Sequence, residues 1–346
     1  MQEKKINKIT FAVVIPNYND SKYLSDSLNS VLDQTVKPDQ IIFVDDQSTD
    51  DSLKKALSIL QNIPGAKTIE TPIKLGTMGA LNEGLKHIVS DYALFLSSND
   101  YLDEDFFRVA KSSLEGHPNK PGVWSAMAWT ATDDGIRRSM FPSPVLSFKE
   151  KYFSQKECVR FASMFGTWFM GATALYHRES LERIGGFPED SQGLADMFAA
   201  LTLASLSGAI FFPRPLAVWR IHPGGYLYET LSDWKHLETI LTRAIEKGKK
   251  QSPELFTSSF CKQIRHRVRF SAIRAFKGAS LPSPHEFNWQ EKRYKVLKVI
   301  FPILPGNRIR TIVALIIIRP SDILHIFFYR VINWAWLNFF GQNFKN

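Results

Sequence analysis

The chain has 346 residues, 44% of them apolar and 13% aromatic, which supplies more than one small hydrophobic core and excludes a largely disordered protein. Its two cysteines, Cys158 and Cys261, stand far apart and outside any metal-binding spacing, so neither a disulfide framework nor a structural zinc site is expected. The first ten residues are mostly polar and lack an apolar core segment, which does not fit a signal peptide. A reducing, cytoplasmic environment is therefore predicted.

The net charge of +9 is unevenly distributed along the chain. Residues 1–240 hold 24 Lys and Arg against 29 Asp and Glu, whereas residues 241–346 hold 19 against 5. The basic excess belongs to the C-terminal segment, which points to an anionic partner for that segment alone. Anionic lipid and nucleic acid both match the sign of this charge.

The first hundred residues alternate short apolar runs with amphipathic segments. Uninterrupted apolar runs such as 11–15 are typical of strands that are buried on both faces of a sheet. In chain order the pattern predicts a strand at 11–15, a helix at 21–34, a strand at 41–44, a helix at about 51–62, a strand near 66–70, a helix capped by Thr77 and running to about Ser90, and a strand at 92–96. Such alternation indicates a mostly parallel α/β sheet.

The pattern changes after residue 120. It predicts a strand at 124–132, a turn at 133–135, a helix at 147–163, a short helix that ends at Gly185 and Gly186, a helix at 196–206, a strand at 209–219 and two helices within 226–278, the second opened by Pro253.

Polar residues cluster where three of the predicted strands end, at 17–20, 45–50 and 97–100. In parallel sheets, ligands bind beyond the carboxyl ends of the strands. The carboxylate of Asp45, between strand and turn, can accept the ring N–H of a pyrimidine base. Asp50 and Asp51 are better explained as caps of the following helix.

The third cluster, Ser-Ser-Asn-Asp at 97–100, contains two oxygen donors. The carboxylate of Asp100 and the amide of Asn99 are of the kind that Mg²⁺ and Mn²⁺ bind, and such a cation neutralises a departing diphosphate. The competing interpretation is a polar turn between strand and helix.

Two groups lie outside the first hundred residues. Asp196 opens a predicted helix, where a carboxylate is favourable near the helix dipole or, if the helix start lines a cleft, serves as a general base. Arg220 and His222 alternate along an extended chain, so both face one side and can donate to phosphate oxygens. A surface pair is the alternative for these two residues.

Several segments together resemble family 2 glycosyltransferases of the glycosyltransferase A fold. They are VVIPNYN (13–19), VDDQSTDDS (44–52), KLGTMGALNEGLKHIVSDYALFLSSNDYL (74–102), FGTWFMGATALYHRESLERIGGF (165–187) and WRIHPGG (219–225). The resemblance covers residues 11–225. It implies an α/β fold of the glycosyltransferase A type, with a mostly parallel, Rossmann-like sheet flanked by helices. The catalytic domain would span 1–225, with a donor half at 1–120 and an acceptor half at 121–225, followed by a helical extension at 226–346.

The resemblance also implies an activity and a role for each candidate residue. A family member of the bacterial surface-polysaccharide type transfers a sugar, with inversion, from a nucleotide-diphospho-sugar to a hydroxyl of a glycan or lipid-linked glycan. By this likeness Pro16, Asn19, Asp45 and Asp46 surround the nucleotide, Asn99 and Asp100 take the metal position, Asp196 is the catalytic base, and Arg220 and His222 approach the leaving diphosphate.

Three positions depart from the family pattern. Ser97 and Asn99 stand where its acidic motif usually carries aspartates, which weakens the implied Mg²⁺ or Mn²⁺ site. Ala195 replaces the glutamate that usually precedes the base. Lys74 replaces a common asparagine, and its charge either serves the site or is simply solvated.

The C-terminal third mixes cations with aromatic and aliphatic residues. The apolar run 311–318 is too short to span a membrane, and the run 322–340 contains Arg330. Helices that lie in the membrane interface are therefore predicted, with anionic lipid rather than nucleic acid as the partner, at the cytoplasmic face of the cell membrane. The alternative is a hydrophobic subdomain or dimer interface that packs on the catalytic domain.

Two rival functions are considered. A sugar nucleotidyltransferase would need a glycine-rich, basic loop after the first strand to hold a triphosphate, and PNYNDSKY (16–23) contains no glycine. The second rival is a non-catalytic relative that binds nucleotide sugar or membrane. It is supported by the acidic motif at 97–100, which has only one carboxylate.

Overall fold

A computed structural model of the chain describes residues 8–117, 120–132, 137–141, 146–221, 225–275, 292–300, 303–304 and 306–319. The strands are β1 (Phe11–Asn17), β2 (Gln40–Asp45), β3 (Ala66–Glu70), β4 (Tyr92–Phe95), β5 (Tyr101–Leu102), β6 (Val123–Ala131), β7 (Arg137–Phe141), β8 (Lys151–Phe153), β9 (Ala174–His177) and β10 (Ala209–Arg220). The helices are α1 (Ser21–Leu32), α2 (Ser52–Leu60), α3 (Gly76–Leu85), α4 (Phe106–Glu115), α5 (Gln155–Phe165), α6 (Arg178–Arg183), α7 (Ala195–Ser207), α8 (Tyr226–Ser232), α9 (Trp234–Gln251), α10 (Ser258–Ala275), α11 (Lys292–Ile300) and α12 (Gly306–Ile318). Short 3₁₀ turns lie at Gly171–Thr173 and Glu189–Leu194.

The strands form one mixed sheet in the order β3-β2-β1-β4-β9-β6-β10-β5, with β7 beside β6 and β8 beside β10. The half built from β1 to β4 is parallel throughout, as the sequence predicts. In the other half β6 and β10 pair in parallel, while β9 runs antiparallel to both β4 and β6. The fold is thus the predicted α/β sheet flanked by helices, with antiparallel strands concentrated in its second half.

Strand β1 shows why the sheet is covered on both faces. Phe11, Val13 and Ile15 join the core under α1, α2 and α4. Ala12 and Val14 join the opposite core, under α3. An unbroken apolar run is required because alternate side chains enter different cores.

The helices after residue 225 share the second of these cores. The apolar cluster that contains Val14 continues through α7 into α9, α10 and α12 and the turn between α9 and α10, where it includes Leu237, Leu241, Phe256, Ile264, Ala314 and Ile318. A polar contact reinforces the packing, since the guanidinium of Arg267 in α10 donates to the carbonyls of Ala162 and Met164 at the end of α5. Within the described residues, no helix combines the length and apolarity needed to cross a bilayer.

Three local expectations are wrong. The predicted helix at 147–163 begins later, because residues 151–153 form β8 and Ser154 starts α5 with a reciprocal capping box to Glu157. Helix α3 begins at Gly76 rather than being capped by Thr77. Pro253 does not open a helix, since α10 starts at Ser258, and the region 226–275 holds three helices instead of two.

Gly84 provides a test of how tightly α3 packs on the parallel half of the sheet. A Cβ at this position would lie 2.4 Å from Cγ1 of Val14 and 3.3 Å from Cγ2 of Val44, and both neighbours are stiff, buried side chains. We expect Gly84→Ala to lower the free energy of unfolding by about 1–3 kcal/mol, as overpacking usually does. Chemical denaturation measures this loss. Gly116→Ala is the control, since its Cβ would meet nothing closer than 3.4 Å, and an equal loss there would contradict the packing argument.

Candidate active site

The parallel register of β1 brings the polar clusters of the sequence to one edge. Asn17 lies opposite Asp45, and Val14 lies opposite Phe95, so the loops that follow β1, β2 and β4 leave the sheet side by side. Strand β6 runs in the direction of β4, because β9 pairs antiparallel with both, and β10 is parallel to β6. The last residue of β10, Arg220, therefore reaches the same edge. Four of the predicted groups therefore converge through strand direction alone.

A buried hydrogen-bond network closes the turn after β2. The side-chain nitrogen of Asn17 donates to Oδ1 of Asp45 and to Oγ of Ser48, each at 3.0 Å. Oδ2 of Asp45 accepts from the backbone N–H of Ser48 at 2.9 Å. Pro16 is buried beside Val44 in the strand register. Asn17, which the sequence places only in a polar cluster, thus ties β1 to the turn.

Asn19 shapes the exposed rim of this turn. Its φ of 56° lies in the left-handed region, which asparagine tolerates better than most residues. Its Oδ1 accepts from the backbone N–H groups of Thr49, at 2.7 Å, and Asp50, at 3.3 Å. Asp50 accepts from Ser21 and Ser52 at the starts of α1 and α2, so its predicted capping role is confirmed, whereas the N-cap residue Asp51 makes no side-chain cap bond.

Asp46 is buried and anchors the start of α3. Its carboxylate accepts from the hydroxyl of Thr71 at 3.0 Å and from the N–H groups of Leu75 and Gly76 at 2.7 and 2.8 Å. A carboxylate is favourable there because the first N–H groups of a helix lack intrahelical partners. Asp46 therefore fixes the wall between β2 and α3.

Lys74 lies beside this wall and contacts an aromatic ring. Its Nζ is 3.3 Å from the ring centroid of Tyr18, which is itself exposed at the end of β1. A cation over an aromatic face is attracted by the ring quadrupole. The lysine is therefore held at the rim of the turn by this contact.

The cluster at 97–100 is organised around Asp100 and Arg220. Asp100 is 3% exposed, and its Oδ1 accepts from the backbone N–H of Arg220 at 2.8 Å. Burial raises the pKa of Asp100 to about 7, a shift that Arg220 opposes and Asp20 reinforces. Ser98 donates its hydroxyl to Asp20 at 2.7 Å, which secures the turn to the start of α1.

The guanidinium of Arg220 is held on several sides. It donates to the carbonyl of Asn99 at 2.9 Å and to the carboxylate of Asp26 at 2.6 Å. The rings of Tyr23 and Tyr101 lie 5.1 and 4.8 Å from its central carbon. A fixed positive charge thus stands next to the residues that the sequence assigns to a metal.

The donor set does not suit a divalent cation. Asp100 is buried, and its Oδ1 accepts from the backbone N–H of Arg220. The guanidinium of Arg220 donates to the backbone carbonyl of Asn99, so a positive charge lies beside both residues. Across the ranges that the structure describes, no three His, Cys, Asp or Glu side chains are grouped to hold a metal ion. Mg²⁺ and Mn²⁺ are usually held by carboxylates and are repelled by a neighbouring cation.

Asp196 opens α7, as predicted, and is half-buried. Its Oδ1 accepts from the N–H of Met197 at 2.7 Å. Burial raises the pKa of Asp196 above its ordinary value, an effect that the Met197 N–H opposes. A Cβ on Gly171 would lie only 2.8 Å from Oδ2 of Asp196, so the glycine allows the carboxylate to approach the 3₁₀ turn that precedes β9.

The loop before Asp196 is fixed by α8. The hydroxyl of the buried Thr230 accepts from the N–H of Gly193 at 3.0 Å and donates to the carbonyl of Tyr226. Gln192 has a φ of 46°, so the backbone here is strained. The sequence gives no signal for this contact, because it joins residues far apart in the chain. His222 lies outside the described residues.

The fold of this chain matches those of solved glycosyltransferase structures. The structure of residues 1–349 of Staphylococcus aureus TarS in complex with UDP-GlcNAc matches with a TM-score of 0.57 and 16% identity, over 89% of this chain and 91% of that one. A mannosyltransferase from Pyrobaculum calidifontis, in complex with GDP-Man and Mn²⁺, matches with a TM-score of 0.53 and 19% identity, over 91% and 86%. The fold is therefore that of the glycosyltransferase A structures.

The sequence comparison gives the family. The profile described as "Glycosyl transferase family 2" matches residues 12–185, half of the chain, and the chain belongs to this family. A poly(ribitol-phosphate) beta-glucosyltransferase of Bacillus spizizenii is 34% identical over 134 residues, 38% of this chain and 21% of that protein. An uncharacterized glycosyltransferase of Haemophilus influenzae is 32% identical over 100 residues, 29% and 40%. The matched segments thus span 40% or less of either relative's own length, and Asp196 and Arg220 lie beyond the family match.

The contact between Thr230 and Gly193 predicts local stability around Asp196. Thr230→Val keeps the shape of the side chain but leaves the Gly193 N–H without its acceptor, which costs about 1–3 kcal/mol when the group is buried. We expect amide hydrogen exchange across residues 189–196 to accelerate in this variant. Thr230→Ser, which keeps the hydroxyl, should exchange like the original chain, and unchanged exchange in Thr230→Val would show that the bond does not hold the loop.

Proposed function

We propose that the chain is an inverting glycosyltransferase that moves a sugar from a nucleotide-diphospho-sugar to a hydroxyl of a glycan or lipid-linked glycan. One observation carries the proposal. The turn after β1 and β2 and the guanidinium at the end of β10 lie at the carboxyl edge of one sheet. Asp196, whose pKa is raised, approaches the turn at Gly171–Thr173, which lies beside the carboxyl end of β4. Family membership supports the same chemistry.

In this proposal the nucleotide occupies the turn after β1 and β2. Pro16 and Asp45 form the buried floor of this turn, and Asn19 forms its exposed rim. Asp46 fixes the adjoining start of α3. The diphosphate extends toward Arg220, whose planar guanidinium suits two phosphate oxygens. His222 follows Arg220 by two residues and is proposed to assist there.

Transfer needs one proton acceptor and one leaving group. The acceptor hydroxyl oxygen attacks the anomeric carbon while the bond from that carbon to the diphosphate oxygen breaks. The hydroxyl proton passes to the carboxylate of Asp196, and the nucleoside diphosphate leaves with the bonding electrons. Attack from the side opposite the leaving group inverts the anomeric configuration. A raised pKa makes Asp196 a better proton acceptor than an ordinary carboxylate.

Two functional alternatives predict different outcomes. A non-catalytic relative would bind the donor without turning it over. A sugar nucleotidyltransferase would use a nucleoside triphosphate, and the turn after β1 lacks the glycine-rich loop for it. Incubation with UDP-, dTDP- and GDP-sugars, followed by mass spectrometry of acceptor and nucleotide, separates the three.

Asp196→Asn tests the catalytic assignment. Loss of the proton acceptor should lower the transfer rate by about 10²–10⁴-fold, the usual contribution of general-base catalysis, whereas the Kd for the donor should change little. Initial rates and calorimetry on the same preparation measure both quantities. Asp190→Asn changes an exposed carboxylate in the preceding turn and is the matched control. Wild-type turnover in Asp196→Asn would remove Asp196 from the mechanism.

We further propose that the extension attaches to an anionic membrane at the cytoplasmic face of the cell membrane, where a lipid-linked acceptor is available. Residues 292–310 carry six Lys and Arg and no acidic residue. The helices α11 and α12 and the segment 303–304 between them leave apolar side chains exposed: Val296, Val299, Ile303, Ile309, Ile312 and Ile316. Cations beside apolar side chains suit the boundary between headgroups and acyl chains.

Val299 and Ile303 test this attachment because they are 74% and 75% exposed. The double variant Val299→Asp/Ile303→Asp should lose most of its sedimentation with vesicles of phosphatidylglycerol and phosphatidylcholine, since charge there opposes both insertion and headgroup attraction. Val89→Asp alters an apolar residue that is 80% exposed after α3 and should sediment normally. Equal sedimentation of all three proteins would exclude this face as the attachment surface.

A further inference from the structure

If the proposed reaction takes place at the carboxyl ends of β4 and β10, the residues there must balance negative charge. A departing nucleoside diphosphate gains negative charge as its bond to the sugar breaks. A transferase can supply the opposing charge with a bound divalent cation or with fixed cationic side chains. The residues at this edge decide between the two.

Each acidic side chain at this edge already accepts a hydrogen bond. Asp100 accepts from Arg220, Asp20 accepts from Ser98, and Asp26 accepts from the guanidinium of Arg220. The remaining side chains of the cluster, those of Ser97 and Asn99, are neutral. A divalent cation at 97–100 would therefore meet only one carboxylate of that cluster, the buried Asp100, together with the positive charge of Arg220.

Arg220 has what a fixed counter-charge requires. Its side chain is 11% exposed, and it is held in place by the Asn99 carbonyl and the Asp26 carboxylate and flanked by two aromatic rings. Asp26 is 62% exposed and screened by solvent, so it offsets only part of the guanidinium charge. Groups oriented before the reaction stabilise developing charge without the cost of reorganisation.

We infer that Arg220 takes the place of the divalent cation, so that the donor is bound and its diphosphate released without Mg²⁺ or Mn²⁺. This inference rests on the proposed function. It assigns the charge balance to a residue of β10 whose backbone N–H binds Asp100 of the same cluster. The positive charge is then that of a guanidinium on a strand of the sheet.

Calorimetric titration of the full chain with UDP, dTDP and GDP, in excess EDTA and again in millimolar MnCl₂, tests metal independence. The Kd of the preferred nucleotide should agree within about twofold between the two conditions. Binding that appears only with Mn²⁺, or tightens about tenfold or more with it, overturns the inference and leaves the proposed function standing. No binding in either condition overturns both.

Arg220→Gln tests the residue itself in EDTA. The Kd for the nucleoside diphosphate should rise about tenfold or more, in keeping with loss of charge-assisted hydrogen bonds, whereas the Kd for the matching nucleoside should not change. A rise of equal size for nucleoside and diphosphate would mean that Arg220 only supports the fold, and would overturn its role. Arg108→Gln, which breaks a surface ion pair to Asp105 on α4, is the matched control.

Discussion

The parallel pairing of β1 with β2 on one side and with β4 on the other determines where the residues of the candidate site lie. In a parallel sheet each strand ends at the same edge, so loops that are distant in sequence emerge together. Asn17 and Asp45 are paired in register, which allows a side-chain bond between them to seal the turn. An antiparallel arrangement of the same strands would have separated the two polar clusters by a strand length.

The second half of the sheet returns the chain to the same carboxyl edge. Strand β9 runs antiparallel to β4 and starts beside its carboxyl end, so the turn containing Gly171 lies there as well. Strand β10 then carries Arg220 to Asp100 and Asn99. Strand β10 thus brings Arg220 to groups from the first half, and Asp196 approaches the Gly171 turn beside the end of β4.

Strand positions and polar clusters could be predicted because they depend on local pattern. Unbroken apolar runs predicted β1, β2 and β4 to within a residue or two, and the position of Asp196 at a helix start followed from its apolar neighbours. The bonds of Arg220 to Asn99 and Asp26, and of Thr230 to Gly193, join residues far apart in sequence, and no periodicity encodes them. The start of α5 was missed because Ser154, which caps the helix, directly follows a short strand.

The apolar cluster that runs from the sheet into α9, α10 and α12 has a mechanical consequence. Helices that share a core with a sheet cannot swing on it as a tethered domain would, because any rotation opens cavities in close-packed side chains. A surface that binds α12 would therefore fix the tilt of the sheet and the direction in which its carboxyl edge faces. The described helices α9, α10 and α12 therefore hold a fixed orientation relative to the carboxyl edge of the sheet.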